Sequence, residues 1–426
     1  MSRPQIRTLF ASGILSACIS AHVNAMNYGI YDTRGLAMGG TAVAAGNWHS
    51  AQYYNAALLA FHDEHEEDSR DGRVALPNIV AQTDNAVEDI VNAADDELDQ
   101  QLTNDINAFN GDPSAENAGA VAETSRQLES LLGDLVNENL STEAFAGFSI
   151  TEPSMLEGGA FYFGVRALTF GDSNVPQADI DLLESYVSAL ETVAGGGDLS
   201  AIPPELLDVD GNLIDPTLQL NSSADLSALT ISEWAVAMAK QIDFFGQELA
   251  FGLTPKVMRV DVFRETTEFQ GEDINFEDSQ KTYINLNADV GLAFQLFDNY
   301  RIGLAVKDVV PEKFTTANGL ELQLKPRPRM GLAYVNEWLT VGMDVDLAEN
   351  EPIANEGPTQ DASFGLEVSP FRSLNLRLGY RQDMTGVRED VLAGGVAYQF
   401  KRIYFELSYA RSDLSTGAGL QFGWTF

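Results

Sequence analysis

The chain has 426 residues, of which 25 are lysine or arginine and 63 are aspartate or glutamate, so its formal net charge is −38. A surface this acidic repels phosphate backbones, which argues against nucleic acid as a partner. Cys18 is the one cysteine. Disulfide scaffolds, CxxC redox chemistry and a cysteine nucleophile are therefore excluded from the body of the chain.

Residues 1–25 have the pattern of a secretory signal peptide. Arg3 and Arg7 precede a short apolar run, and small residues ending at Ala25 form a cleavage site, which predicts a mature start near Met26. The apolar run is too short to span a bilayer, and no later run is longer. Any membrane crossing must therefore use β-strands.

The same segment has a second interpretation. Leu15-Ser16-Ala17-Cys18 has the form of a lipobox, in which Cys18 would be acylated and retained as a lipid anchor. A spanning barrel needs no such anchor, so the sequence favours removal of Cys18 with the signal peptide but leaves acylation open.

Residues 26–67 form a separate region before the first predicted strand. It contains the run Arg34-Gly35-Leu36-Ala37-Met38-Gly39-Gly40 and then Tyr53-Tyr54-Asn55-Ala56-Ala57-Leu58-Leu59. These runs resemble the N-terminal signature of the FadL-like superfamily of outer-membrane barrels, RG-x-AMGG-A-x-VA followed by YYNPA. The two leucines after the alanines are most similar to the branch of conjugal-transfer TraF-type proteins.

The resemblance implies an outer-membrane barrel of a Gram-negative bacterium with residues 26–67 as a plug inside it. The motif residues carried over are Arg34, Gly35, Met38, Gly39, Gly40 and Asn55. Ala56 stands where the family has proline, so the turn there is less rigidly set.

Residues 68–426 are predicted to form an all-β membrane barrel. Segments of about ten residues alternate strictly between apolar and polar side chains, and about fourteen antiparallel strands can be placed. Short turns alternate with longer loops along the C-terminal half; Arg411–Thr416 is predicted as one of the longer loops. The earlier strands are expected near Arg73–Thr83, Thr142–Glu152, Gly158–Phe170, Thr217–Gln241 and Gln247–Thr267.

Two helical insertions are predicted on the extracellular side, at about 85–139 and 178–197. Apolar spacing predicts helices over Asn85–Phe109, Ala118–Asn139 and Ile180–Val193. Each has a narrow apolar face, so we expect the helices to cap the barrel mouth.

The polar face of the predicted strands holds charged side chains, which a wet lumen permits and a dry core does not. The lumen candidates are Arg166, Arg329, Arg377, Arg381, Tyr404 and Glu406. They either pair with acids and stiffen the barrel, or fix the plug and line a path for a solute with an acidic end.

The chain ends in a strand with aromatic side chains at alternate positions, Phe422, Trp424 and Phe426. This ending resembles the C-terminal signal that barrel-assembly machinery recognises in its clients. The expected partners are therefore that machinery, outer-membrane lipid and lipopolysaccharide.

No catalytic, cofactor or metal site is predicted. His62 and His65 lie in an acidic run without a coordination geometry, and Asp208-Val209-Asp210-Gly211 lacks the full calcium-loop spacing. No GK[ST] follows Gly39-Gly40 and no G-x-S-x-G elbow occurs, so no enzyme activity is expected.

Two functions remain. The first is passage of hydrophobic or amphipathic compounds, with a hydrophobic small molecule as ligand; it predicts an apolar groove formed by the helical insertions and a strand break at Gly171 or Gly252. The alternative is a non-transport envelope protein associated with conjugal transfer or surface assembly, with a tightly packed plug. Neither the solute nor the oligomeric state can be derived from the sequence.

Overall fold

The computed structural model describes residues 26–61, 72–85, 98–136, 139–152, 157–268, 279–317, 319, 321–350 and 357–426. Three sequence predictions fall outside these residues: the signal peptide with Cys18, the acidic run beginning at His62, and most of the first half of the helix predicted over Asn85–Phe109.

Within the described residues, fourteen antiparallel strands close into one barrel. Each barrel strand pairs with the next barrel strand along the chain, and the first and last of them, Arg73–Asp84 and Ser415–Thr425, pair to complete the ring. Fourteen agrees with the sequence-based count. The barrel strands are β1 (Arg73–Asp84), β2 (Asn139–Glu152), β3 (Glu157–Asn174), β4 (Ser223–Asp243), β5 (Glu248–Glu268), β6 (Lys281–Leu296) and β7 (Tyr300–Lys307), then, after the separate hairpin of β8 (Glu312–Thr315) and β9 (Glu321–Leu324), β10 (Arg327–Val335), β11 (Leu339–Asp346), β12 (Asp361–Phe371), β13 (Leu374–Asp383), β14 (Val391–Phe400), β15 (Ile403–Arg411) and β16 (Ser415–Thr425).

Alternation along each strand separates an apolar outer face from a polar inner face. In β15, Phe405 and Leu407 are 41% and 42% exposed, whereas Tyr404 and Glu406 are 3% and 4% exposed. Large apolar side chains are thus on the outside and charged ones inside, the reverse of a soluble core. Such an outer surface is typical of strands that face lipid hydrocarbon.

The two ends of the barrel differ. One, the short-turn end, has the connections β6–β7, β10–β11, β12–β13 and β14–β15; the other, the long-loop end, has the helical insertions and the β8–β9 hairpin. The prediction of a longer loop over Arg411–Thr416 is wrong. Only three residues separate β15 from β16, because the Ser412 hydroxyl accepts a hydrogen bond from Ser415 N at 2.8 Å and closes a tight turn.

The insertions contain α3 (Leu98–Gly111), α4 (Ala115–Asp134) and α5 (Gln177–Ala194). The helix predicted to reach Asn139 ends at Asp134, and β2 begins at Asn139. The strand predicted from Thr217 begins at Ser223, because Pro216–Leu218 is a 3-10 helix capped by Asp215. No helix in the described part of the chain is long and apolar enough to cross a membrane.

The three helices pack on one another around a shared hydrophobic core. Leu102, Val121 and Leu183 represent α3, α4 and α5 in this core. Ile202 and Leu213, from the chain after α5, are buried in it as well. The second insertion is therefore longer than the predicted 178–197, since the segment that leads into β4 completes the core.

The N-terminal segment, residues 26–61, lies inside the barrel. It contains the short helices α1 (Thr33–Ala37) and α2 (Ala51–Tyr54) and a 3-10 helix over Ala56–Ala60. Helix α1 contacts β1 and β13–β16, and the 3-10 helix contacts β3–β6. The segment therefore reaches from one side of the wall to the other.

A closed ring of paired strands predicts heat-modifiable mobility. Unboiled protein in dodecyl sulfate should keep its barrel and migrate differently from boiled protein, because no strand edge is free for the detergent to open. The measurement is gel electrophoresis of the same sample before and after boiling. Identical migration would contradict a closed barrel.

Candidate functional site in the barrel interior

An ionic chain crosses the inner wall from the N-terminal segment to β1. Arg34 Nε lies 3.2 Å from Glu367, and Arg377 binds both Glu367 and, at 2.6 Å, Glu406. Glu406 also binds Arg73 Nη2 at 2.6 Å. All five side chains are buried, so the alternation of signs is needed to offset their desolvation.

A second ionic group joins the segment to β11. Arg329 binds Asp346 and lies 3.6 Å from Asp361. Asp344 Oδ2 accepts backbone hydrogen bonds from Ala42 N at 2.7 Å and Val43 N at 2.8 Å. A wall carboxylate therefore holds the backbone of the segment directly.

The remaining lumen candidates are also partnered. Arg166 Nη2 lies 2.8 Å from Glu143, and Arg381 Nη2 donates to Gln82 at 2.8 Å. Tyr404 donates to Val74 O at 3.1 Å and lies under the Arg73 guanidinium. The structure thus brings Arg377, Tyr404 and Glu406 together with Arg34, and places Arg166, Arg329 and Arg381 in separate contacts.

A third ionic group was missed by the sequence analysis. Lys256 Nζ lies 3.0 Å from Glu233, 2.9 Å from Asp289 and 2.6 Å from Asp308, and all four side chains are buried. Lys307 adds a contact to Asp289, and Arg327 one to Asp308. We call these six residues the ionic layer. The two-residue alternation of β5 could have predicted this, because Lys256 occupies one of the inward positions of that strand.

The motif glycines of the segment lie against other atoms at close range. A Cβ on Gly35 would lie 2.0 Å from the Tyr54 hydroxyl, and one on Gly39 would lie 2.8 Å from the backbone of Tyr380. Gly40 differs, because a Cβ there would have enough space. Glycine is favoured at this position by its positive φ of 92°. Met38 is buried, and Asn55 Nδ2 donates to Val43 O at 2.8 Å and to Leu292 O at 3.0 Å.

Opposite the segment, the wall carries an arc of inward glycines that the sequence analysis also missed. Each of β5–β7 and β10–β14 contributes one. A Cβ on Gly379 would lie 2.1 Å from Gly39 N, and one on Gly303 would lie 2.2 Å from Val43 O. The backbone of the segment therefore touches the backbone of the wall. This glycine arc consists of Gly252, Gly291, Gly303, Gly331, Gly342, Gly365, Gly379 and Gly395.

The long-loop end of the interior is apolar along β3–β5. Inward side chains there form one buried cluster, which the β8–β9 hairpin covers. Tyr283 holds the hairpin in place by donating to Thr315 O at 2.9 Å. This inner apolar cluster consists of Leu168, Phe170, Leu229, Ile231, Met258, Val260 and Val262 from the wall, Phe314, Leu322 and Leu324 from the hairpin, and Met26.

The predicted strand breaks are wrong. β3 pairs with β4 without a register shift through Gly171, and β5 pairs with β6 without one through Gly252. The register shifts instead in β1, between Ala75 and Asn78 against both neighbours, and in the β12–β13 pair, between Val368 and Phe371. Pro77 explains the position of the shift in β1, because proline has no N–H to donate to the ladder.

The described residues contain no cluster of three or more histidine, cysteine, aspartate or glutamate side chains that could hold a metal ion. Hydrogen bonds from Asn212 lower the pKa of the exposed Asp208, whose carboxylate closes its own turn. Burial raises the pKa of Asp32, which accepts hydrogen bonds from Gly35 N and the Tyr54 hydroxyl.

The C-terminal aromatic residues point outward. Phe422 and Trp424 are exposed on the outer face of β16, and Phe426 is exposed directly after it, where Phe426 N donates to Gly72 O at 2.8 Å.

The glycine arc yields a prediction. Gly379→Ala should loosen the N-terminal segment while the barrel stays closed, because the added Cβ has no space beside Gly39. Amide hydrogen exchange in residues 31–61 should become about tenfold faster. Gly394→Ala is the matched control, since its Cβ would have no neighbour closer than 3.5 Å. Equal exchange in the two variants would contradict the close contact.

Comparison with solved structures shows the fold that this chain shares with other barrels. A TodX deltaS2S3 mutant monoaromatic hydrocarbon channel is 12% identical, with a TM-score of 0.50 over 93% of this chain and 99% of that chain, which shows the shared fold. The Pseudomonas putida toluene transporter TodX is 12% identical (TM-score 0.46; 95% and 100% covered), and a Pseudomonas aeruginosa FadL homologue is 9% identical (TM-score 0.47; 93% and 98% covered). No curated protein matches the sequence.

One family model, described as "F plasmid transfer operon, TraF, protein", matches residues 52–346. Because this match spans more than half of the chain, the chain belongs to that TraF family.

Proposed function

We propose that the protein binds hydrophobic or amphipathic compounds in the long-loop end of its barrel and passes them across the bacterial outer membrane. The observation that carries the proposal is the inner apolar cluster. Inward positions of a barrel that holds water are polar. Here seven inward positions on three neighbouring strands are apolar, and the β8–β9 hairpin and Met26 cover them.

The ionic layer lies directly next to this cluster. Ile231 is followed two positions later on the same face by Glu233, and Met258 is preceded by Lys256. An amphipathic compound would keep its apolar part in the cluster and its polar end at these charges. The ligand does not enter through a groove between the helices, because those helices bury their apolar faces in their own core.

Residues 26–67 act in this proposal as the plug. The apolar outer face supports a location in the outer membrane, with lipid and lipopolysaccharide around the barrel. The similar TodX mutant is a monoaromatic hydrocarbon channel, and this agrees with the chemistry of the cluster.

A polar group placed in the inner apolar cluster tests the proposal. Val260→Thr should weaken binding of a fluorescent medium-chain fatty acid about tenfold, because a buried hydroxyl without a partner costs roughly 1–3 kcal/mol. Val257→Thr is the matched control, since Val257 is on the same strand but faces outward. Binding is measured on protein in lipid nanodiscs, and equal dissociation constants for the two variants would refute this ligand site.

The outward aromatics of β16 support a second, smaller proposal, that barrel-assembly machinery recognises this strand. Replacing Phe422, Trp424 and Phe426 by serine should make the protein accumulate in the periplasm, because the outer face of β16 is then no longer apolar. Cell fractionation and gel mobility measure the outcome. Normal outer-membrane levels of the triple variant would exclude the proposal.

The alternative function is a non-transport envelope protein in conjugal transfer or surface assembly. The tight backbone contact along the glycine arc and the independent helical core favour it. If wild-type protein binds no apolar ligand, and replacing both helical insertions by short linkers reduces plasmid transfer, this alternative is supported over passage of hydrophobic compounds.

A further inference from the structure

A groove lies on the outer face of the barrel wall, near the short-turn end. Its volume is about 560 Å³, and residues of five neighbouring barrel strands, β6, β7, β10, β11 and β12, line it. The lining is almost entirely apolar. This volume is in the range of sites that hold small molecules, about 300–1,000 Å³. We call this feature the outer groove.

The side of the groove farther from the short turns is one row of outward side chains. Strand register places its members next to one another, because each is the partner of the next across a strand pair. All of them are apolar and exposed. This far row consists of Ile302, Leu332, Met343 and Phe364.

The side of the groove closer to the short turns is a second row, which is apolar but has a polar edge. Its two tyrosine rings, Tyr300 and Tyr334, are 5.3 Å apart and meet edge to face. Asn336 Nδ2 donates to the Tyr334 hydroxyl at 3.1 Å, so that this hydroxyl keeps its own proton to donate. This near row consists of Leu296, Tyr300, Tyr334 and Val341, which are again register partners.

The floor of the groove is strand backbone. Arg301, Ala333 and Gly342 are register partners between the two rows, and their side-chain positions are on the inner face. The Arg301 guanidinium lies 5.2 Å from the centre of the Phe61 ring, and a Cβ on Gly342 would lie 2.5 Å from the Cβ of Ala45. The outer groove and the N-terminal segment are therefore on opposite sides of the same wall.

The surroundings of the groove decide what chemistry fits it. It is continuous with the apolar outer face, on which Leu378 and Phe405 are exposed in the same way on β13 and β15. A strand face of this kind contacts lipid hydrocarbon. Lipid tails are as apolar as leucine, so a bound chain is held there by van der Waals packing. A chain in the groove contacts protein on its floor and on both sides, and gains more of these contacts than a chain on a flat wall.

The polar edge of the near row decides which end of a lipid lies there. Tyrosine and tryptophan are enriched where a membrane meets water, and Trp338 is exposed in the turn beside Tyr334. Short turns of bacterial barrels face the periplasm, where the outer membrane presents its phospholipid leaflet. The tyrosine hydroxyls are thus at the level of phospholipid headgroups, whose phosphate oxygens accept hydrogen bonds.

We propose that the outer groove binds one acyl chain of a phospholipid from the periplasmic leaflet, with the headgroup at the hydroxyls of Tyr300 and Tyr334. This inference rests on the outer-membrane location that belongs to the proposed function, but not on the ligand site inside the barrel. The inner apolar cluster is on the inner face of β3–β5, and the outer groove is on the outer face of β6–β12. Each site can therefore be changed without the other.

A bulky side chain placed in the outer groove tests the inference. Val341→Trp should weaken phospholipid binding at least about tenfold, because the indole occupies the space of several methylene groups. Val345→Trp is the matched control, since Val345 is on the same strand and the same face but outside the groove. Delipidated protein in maltoside detergent is titrated with dipalmitoyl phosphatidylethanolamine, and native mass spectrometry counts the complexes with one lipid. Wild type and Val345→Trp should bind with equal affinity.

Ile302→Trp, from the far row, is an independent second variant and should show the same loss. Gel mobility before and after boiling verifies that each barrel is closed. A phosphatidylethanolamine with a diazirine in its acyl chain should label Met343 in the groove well above Leu407 on β15. Equal affinities of Val341→Trp and Val345→Trp, or uniform labelling around the barrel, would overturn the site.

The ligand site inside the barrel is tested separately. Val260→Thr should leave phospholipid affinity unchanged while it weakens fatty-acid binding. Absence of fatty-acid binding with the expected phospholipid results would refute the proposed ligand site alone, and the reverse would refute the outer groove alone. Recovery of the protein in a cell fraction other than the outer membrane would refute the location on which both rest.

Discussion

A strand that crosses hydrocarbon must find partners for all its backbone N–H and C=O groups inside the protein, because lipid offers none. Pairing of β1 with β16 meets this constraint by removing both edges of the sheet. Ring closure by antiparallel neighbours requires an even number of strands. It also places the start of β1 and the end of β16 at the same, short-turn end.

Closure at this strand number leaves an interior that cannot be filled by wall side chains alone. The N-terminal segment occupies it, and two devices make the fit. Glycines along one arc let the segment approach the wall backbone, and paired charges compensate for the desolvation of buried arginines, lysines and acids. Removing one member of such a pair typically costs about 3–5 kcal/mol, because the other charge is left buried and unpaired. The segment and the wall must therefore carry matching charges.

The interior is divided both along and around the barrel axis. Along β3–β5, an apolar cluster at the long-loop end is followed by the ionic layer and then by the alanine-rich contacts of the 3-10 helix Ala56–Ala60. Around the axis, the glycine arc lets the backbone of the segment approach the wall, whereas β15 and β1 contribute the paired side chains Glu406 and Arg73.

The sequence by itself determined the barrel, the number of strands, the direction of Arg377 and Glu406 and the outward aromatics of β16. A two-residue alternation is a local property, and it needs no knowledge of the neighbouring strand. The N-terminal motif, likewise, was readable as a contiguous run.

Only the tertiary structure decided which charges meet, since Arg34 and Glu367 are 333 residues apart and their contact depends on the position of the segment in the barrel. The shared core of α3–α5 joins two insertions that are separated in sequence by strands β2 and β3. The apolar face of each helix is too narrow to form a core alone, so this core could not be predicted from any one helix. The register shifts lie at Pro77 and between Val368 and Phe371, not at Gly171 or Gly252. Gly252 instead lets the wall approach the backbone of Ala57. Glycine has no side chain and so does not contribute to the apolar–polar alternation of a strand. The glycine arc could therefore be recognised only from the strand register, which places its members side by side.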